Sequence, residues 1–185
     1  MKRLITLACL ALAPGPVLAD DVVDTLNSAI AAYEAGDVKY ALEELAYARQ
    51  LMQAVAAEGL TGFLPPAPEG WTREVNIEMN QGLAIMGGGA GAEATYSDGD
   101  KSFTLSVMAD NPMVGAMAAM FGNPMLMGMS GEIVRIGRQR FVDQGGELTG
   151  LVDNRILVQA NGAPREDMLP VLEAIDYDGL AGFGR

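Results

Sequence analysis

The apolar pattern of this chain changes period once, and the change falls across a proline-rich segment. Before it, apolar side chains recur every three or four residues; after it, they alternate. Val22, Leu26, Ala29, Ile30 and Tyr33 share one helical stripe. Ala41, Leu42, Leu45, Ala48, Leu51, Met52 and Val55 form a second, with Glu43, Glu44 and Arg49 on the other side. A period near 3.6 followed by a period of two places helices first and strands second. Between them stand Gly62-Phe63-Leu64-Pro65-Pro66-Ala67-Pro68-Glu69-Gly70, whose prolines favour extended chain. This predicts a helical hairpin over 20–61, a linker over 62–70 and a strand-rich domain over 71–185.

Within the helical part, Gly36-Asp37 interrupts the stripe and marks the turn between two helices. In the second part, Val75, Ile77 and Met79 alternate with polar residues, and segments 93–97 and 102–108 flank Asp98-Gly99-Asp100, a hairpin signal. Four further strands are predicted over 132–136, 139–144, 147–152 and 155–160. Gly137-Arg138, Gly145-Gly146 and Asp153-Asn154 separate them with turn chemistry at hairpin length. A closing helix over 165–174 carries Met168, Leu169, Leu172 and Ile175 as its apolar stripe. The fold class predicted is α+β: a helical hairpin followed by an antiparallel sheet with two packed helices on one face.

The first nineteen residues have the form of a secretory signal. Lys2 and Arg3 precede an apolar run from 4 to 13, Pro14-Gly15-Pro16 break it, and Val17-Leu18-Ala19 complete a cleavage site before Asp20. The apolar run is too short to span a bilayer of about 30 Å. Cys9 follows Thr6-Leu7-Ala8, which lacks the aliphatic residue of a lipidation signal. The expectation is a periplasmic protein, cleaved after Ala19 and without a transmembrane anchor in its mature form. Lys2 and Arg3 leave with the signal, two of twelve cations, which moves the net charge from −12 to −14. So acidic a chain is repelled by nucleic acid and by anionic lipid.

The only cysteine leaves too, and the chain contains no histidine. The mature form therefore has no thiol nucleophile, no imidazole base and no zinc site of the Cys/His type. No motif points to an enzyme, and no cofactor is expected.

Tyr33-Glu34-Ala35-Gly36-Asp37, with Ala41, Leu45 and Ala48 following, resembles the turn and second helix of a tetratricopeptide repeat. Gln53 stands where the repeat's terminal proline would be, and there is one copy only, so the resemblance implies a shape rather than a stacked binding array. The Phe63-Leu64-Pro65 to Gly70-Trp71 junction, Asn111-Pro112-Met113 and Ala174-Ile175-Asp176 together resemble a family of uncharacterised exported proteobacterial proteins. In that family a tetratricopeptide-like helix pair precedes a mainly antiparallel α+β domain. The resemblance implies architecture and compartment, and no activity.

Three segments invite chemistry. Gly89-Ala90-Gly91-Ala92-Glu93-Ala94 matches a dinucleotide fingerprint in letters, but the β-branched and aromatic stretch after it leaves no room for the helix that receives a pyrophosphate. A glycine turn is the reading. Asp98-Gly99-Asp100 lacks the twelve-residue pattern of a calcium loop and reads as a solvated turn. The stretch 111–131 has no charge and six methionines: Met113, Met117, Met120, Met125, Met127 and Met129. Thioethers suit Cu(I), adaptable apolar surfaces and gap-filling cores alike. No metal is assigned; a Cu(I)-handling role for these six is the alternative. With Asn111-Pro112 opening a helix, Met113, Met117 and Met120 fall on one face, predicted to pack on the sheet. The function expected is a non-enzymatic cell-envelope binding module for an unknown protein or small apolar ligand.

Overall fold

Three residues turn the chain between its first two helices. Gly36 takes φ 83°, its N–H donates to Tyr33 O at 3.0 Å, and the Asp37 N–H reaches back to Ala32 O at 2.9 Å. These are the paired bonds of a Schellman stop, which needs a left-handed residue where glycine stands. Asp37 then caps the next helix, its Oδ1 accepting from Tyr40 N at 3.1 Å. The helices are α1 (Val17–Glu34) and α2 (Val38–Thr61), in a computed structural model that describes residues 17–85, 87–121 and 128–185. The signal segment up to residue 16, Cys9 included, lies outside the described residues.

The chain divides into two compact units inside α2, after Leu51, and not at the proline-rich segment. The physical reason lies in what the later residues bury. Ala57 and Leu60 on the last turns of α2, and Leu64 beyond it, belong to the core cluster of the sheet. Segment 62–70 is a strap on that sheet, not a spacer. Pro65 is buried and its carbonyl accepts from the Tyr96 hydroxyl at 2.7 Å. Arg73 Nη1 donates to Leu64 O at 2.5 Å and to Pro65 O at 3.1 Å.

The second unit is a seven-stranded antiparallel sheet with helices. Its strands are β1 (Thr72–Asn76), β2 (Ala90–Ser97), β3 (Ser102–Ala109), β4 (Glu132–Ile136), β5 (Gln139–Asp143), β6 (Glu147–Val152) and β7 (Ile156–Asn161). They lie in the order β1-β2-β3-β7-β6-β5-β4, so two meanders meet where β3 pairs β7. Helical segments accompany them, among the described residues α3 (Met79–Ile85), α4 (Pro112–Phe121), α5 (Arg165–Glu173) and α6 (Tyr177–Gly182). One sheet face carries the core. Ala94, Leu105, Ala160 and Leu148 lie in one register row across four strands, and Met168, Val171, Leu172 and Leu180 of α5 and α6 complete the cluster. Alternation places every second strand residue on that face.

The alternation through Val75, Ile77 and Met79 does not continue as a strand. β1 stops at Asn76, whose Oδ1 accepts from Glu78 N at 2.6 Å, and Met79 opens α3. Asn80 of α3 then takes the strand's place beside β2. Its amide donates to Gly91 O at 2.6 Å and accepts from Gly91 N at 2.7 Å. Leu83 Cδ1 and Met79 Sδ stand 2.9 Å from where a Cβ on Gly91 would sit. Gly91 alternates with the core residues Ala90 and Ala92, so α3 covers the opposite face. Helices therefore lie on both faces rather than one.

Candidate functional site

The two helices of the first unit bury small side chains and expose large ones. Among the described side chains, Thr25, Ala29 and Ala32 are the buried positions of α1, and Ala41 and Ala48 those of α2 before Leu51. The Thr25 hydroxyl is satisfied inside its own helix, donating to Asp21 O at 2.7 Å. Val38, Leu42 and Leu45, at i, i+4 and i+7, form an outward stripe on α2, and Ile30 and Tyr33 form one on α1. Tyr33 is 69% exposed and Leu42 62%. The stripe drawn from the sequence through both Ala41 and Leu42 is thus split: the alanines are enclosed and the leucines face water.

Between these stripes lies a groove of about 460 Å³, lined by Ala29, Ile30, Tyr33, Val38, Leu42 and Leu45, with Ala41 and Glu34 beside them. Contiguous exposed apolar surface of this kind is uncommon on a monomer and marks interaction sites. Its surroundings are acidic. From Asp20 to Leu51 there are seven carboxylates and two cations, and one of those cations, Lys39, sits 3.5 Å from Glu43.

The methionine-rich stretch is arranged differently from the sequence expectation. Asn111 does cap α4, its Oδ1 accepting from Met113 N at 2.9 Å, with Pro112 in the first turn. The residue buried beneath the helix, however, is Val114, at 1% exposure, while Met113 is 43% exposed and Met117 half-buried. In the first turn the inward position is thus Val114 and not Met113, and Met117, three residues after Val114, lies on its side of the helix. Met129 is exposed. Met125, Met127 and the side chain of Met120 lie outside the described residues.

The glycine run is structural. Gly87, Gly88 and Gly89 take φ of 103°, 93° and 104°. A Cβ on Gly89 would lie 2.8 Å from Ala109 O and 3.0 Å from Asn111 Cβ. The buried Asn111 amide donates to Gly88 O, so the run wraps the cap of α4. No helix follows it that could receive a phosphate; β2 does. Asp98 spends its carboxylate on its own turn, its Oδ1 accepting from Lys101 N at 2.8 Å and Asp100 N at 3.0 Å. The backbone N–H of Lys101, then that of Asp100, hold the Asp98 carboxyl below its ordinary range. Asp176 likewise caps α6 through Gly179 N at 2.9 Å. Among the described residues, no three acidic side chains converge as a metal site, and no helix is long and apolar enough to cross a membrane.

Fold and surface together define an α+β protein that displays an apolar helical groove within an acidic hairpin. No family model, curated protein or solved structure matches the chain.

Proposed function

We propose that the chain is an exported, non-enzymatic binding module whose helical hairpin receives an amphipathic helix flanked by basic residues. The observation that carries this reading is the inversion of the hairpin, with alanines enclosed and Ile30, Tyr33, Leu42 and Leu45 lining an open groove. Helix-in-groove recognition uses such a surface, with anchors at i, i+3, i+4 and i+7. The charge balance selects the partner's flanks. Seven carboxylates against two cations favour lysine or arginine around the anchors, and they oppose a second copy of the same acidic hairpin. The signal-like segment at 1–19 supports a partner outside the cytoplasm.

The test is calorimetric titration of the mature chain with three synthetic helices: leucine-faced and lysine-flanked, the same composition scrambled, and leucine-faced but glutamate-flanked. The first should bind at least about tenfold more tightly than the other two, a difference of about 1.4 kcal/mol. Leu42→Ser and Leu45→Ser, both at exposed positions, should abolish the difference while circular dichroism stays unchanged. Equal binding of the scrambled helix, or full binding by both serine variants, would overturn the reading.

A further inference from the structure

The β4–β5 hairpin carries three arginines whose side chains have no ion-pair or hydrogen-bond partner among the described residues. Arg135 and Arg140 lie directly opposite one another in the antiparallel register, and Arg138 occupies the turn between their strands. Like charges at directly opposed positions destabilise a strand pair. In a chain of net charge −12 an acidic neighbour would be the simple remedy, and it is not used. Arg155, Arg165, Arg185 and Lys101 each meet a carboxylate, and Arg73 holds two backbone carbonyls. Among the described residues, no ion pair or hydrogen bond engages the guanidinium of Arg135, Arg138 or Arg140.

Two tight turns bring other donors to the same end of the sheet. Gly137, with φ 59°, starts the β4–β5 turn, and Asp153 and Asn154, with φ 52° and 55°, form the β6–β7 turn. Because β5 and β6 run antiparallel, the start of β5 lies beside the end of β6. A cavity of about 170 Å³ opens there, lined by Arg138, Gln139, Arg140 and Asn154, with Phe121 and Leu151 beside them. Among the described residues, no carboxylate lines it. Asp153, next to Asn154 in the turn, is paired with Arg155 and Arg185, and Asp110 with Arg155. Guanidinium groups only donate, and they match oxoanions with two parallel bonds. A cavity of this volume has room for a tetrahedral oxoanion. The remaining carboxylates are screened beyond about 8–10 Å at ordinary salt, so the local arginines set the potential inside.

We infer that this cavity binds a phosphate-type oxoanion, free or as the head of a small phosphomonoester, through Arg138 and Arg140 with Asn154 and Gln139. Arg135 adds charge from across the ladder. The inference stands apart from the helix-binding reading, since every residue in it belongs to the second unit.

The probe is inorganic phosphate titrated into the mature chain at constant ionic strength, followed by backbone amide NMR and by melting temperature, with chloride and acetate as matched controls. Phosphate should shift the Arg138, Gln139, Arg140 and Asn154 amides saturably and raise the melting temperature. Arg138→Gln and Arg140→Gln should each weaken binding about tenfold or more, and Arg140→Lys should weaken it too, because an ammonium cannot form the paired bonds. Arg49→Gln, at an exposed cation on α2, should leave binding unchanged. Without phosphate, Arg140→Gln should melt at or above the temperature of the parent, since it removes the opposed charge. Methyl phosphate binding as well as inorganic phosphate would point to an esterified ligand, and its exclusion to the free ion. Equal shifts with chloride or acetate, or unaltered affinity in both glutamine variants, would overturn the inference.

Discussion

The Tyr96 hydroxyl donates to the Pro65 carbonyl at 2.7 Å, joining β2, the strand next to the sheet edge, to the strap that follows α2. The ring is fully buried and stacks on Phe103, with centroids 4.9 Å apart and an interplanar angle of 13°. Burial pushes its phenol from 10 up to about 12, against a smaller lowering by the charge of Arg73. The unfolded chain therefore loses this proton first as pH rises. The stability it contributes is complete below pH 10 and is lost between 10 and 12, to the extent of about 2–3 kcal/mol for a shift of two units. Tyr177, raised by burial and secondarily by Glu173, extends the same loss to still higher pH. Tyr96→Phe should cost about 1 kcal/mol near neutrality, because Arg73 still serves the Pro65 carbonyl. It should also flatten the fall in stability between pH 10 and 12. Urea unfolding at stepped pH measures both effects, and an undiminished alkaline slope in the variant would refute the assignment.

Asn80 does the work of a missing strand, bonding both backbone groups of Gly91. Asn80→Ala leaves those two groups without partners in a buried strand, at a cost of about 2–3 kcal/mol. Hydrogen exchange should accelerate at Gly91 more than at neighbours such as Ala92, whose ladder to β3 is intact. Uniform acceleration along β2 would mean that Asn80 is not the local tie.

How much of this was legible depends on whether the deciding force is local. The four meander strands were readable because Gly137, Gly145-Gly146 and Asp153-Asn154 supply left-handed turn positions within the sequence itself. The Gly36-Asp37 turn was readable for the same reason. The place of α3 was not, because Val75, Ile77 and Met79 continue a strand pattern past the Asn76 turn that ends it. The signal present was the i, i+4 pair Met79 and Leu83, which cover Gly91 together. The β3–β7 pairing that joins the meanders is a long-range choice with no local mark. In the hairpin, hydropathy alone could not reveal that Ala29, Ala32, Ala41 and Ala48 would be enclosed and Leu42 and Leu45 exposed. The arginine cavity was missed because Arg135 and Arg140 become neighbours only through register.

Two glycines in the sheet separate rigid from yielding neighbours. A Cβ on Gly150 would sit 2.6–2.8 Å from three carbons of the Phe141 ring, which is fully buried and lies directly across the ladder. A Cβ on Gly91 meets Met79 and Leu83 at 2.9 Å, but at the ends of flexible side chains. Gly150→Ala should therefore destabilise by about 2–3 kcal/mol through overpacking, and Gly91→Ala by roughly 1 kcal/mol or less. Equal losses in chemical denaturation would show that the Phe141 ring can move aside.

The face of α4 is decided by a pair of adjacent side chains. Val114 is buried at 1% exposure and Met113 is 43% exposed. Val114→Ala removes two buried carbons and leaves a small cavity, so it should cost roughly 2 kcal/mol. Met113→Ala, at an exposed helical position with good helix propensity for the new residue, should change stability by less than about 0.5 kcal/mol. The same comparison bears on the methionines as metal ligands. If Met113 and Met117 held Cu(I), the ion should raise the melting temperature under reducing conditions, and Met113→Ala should remove that rise while leaving the metal-free protein unchanged. The packing account expects no such rise in either protein. A stoichiometric Cu(I) stabilisation that disappears with Met113 would replace it with a binding role for the exposed side of the helix.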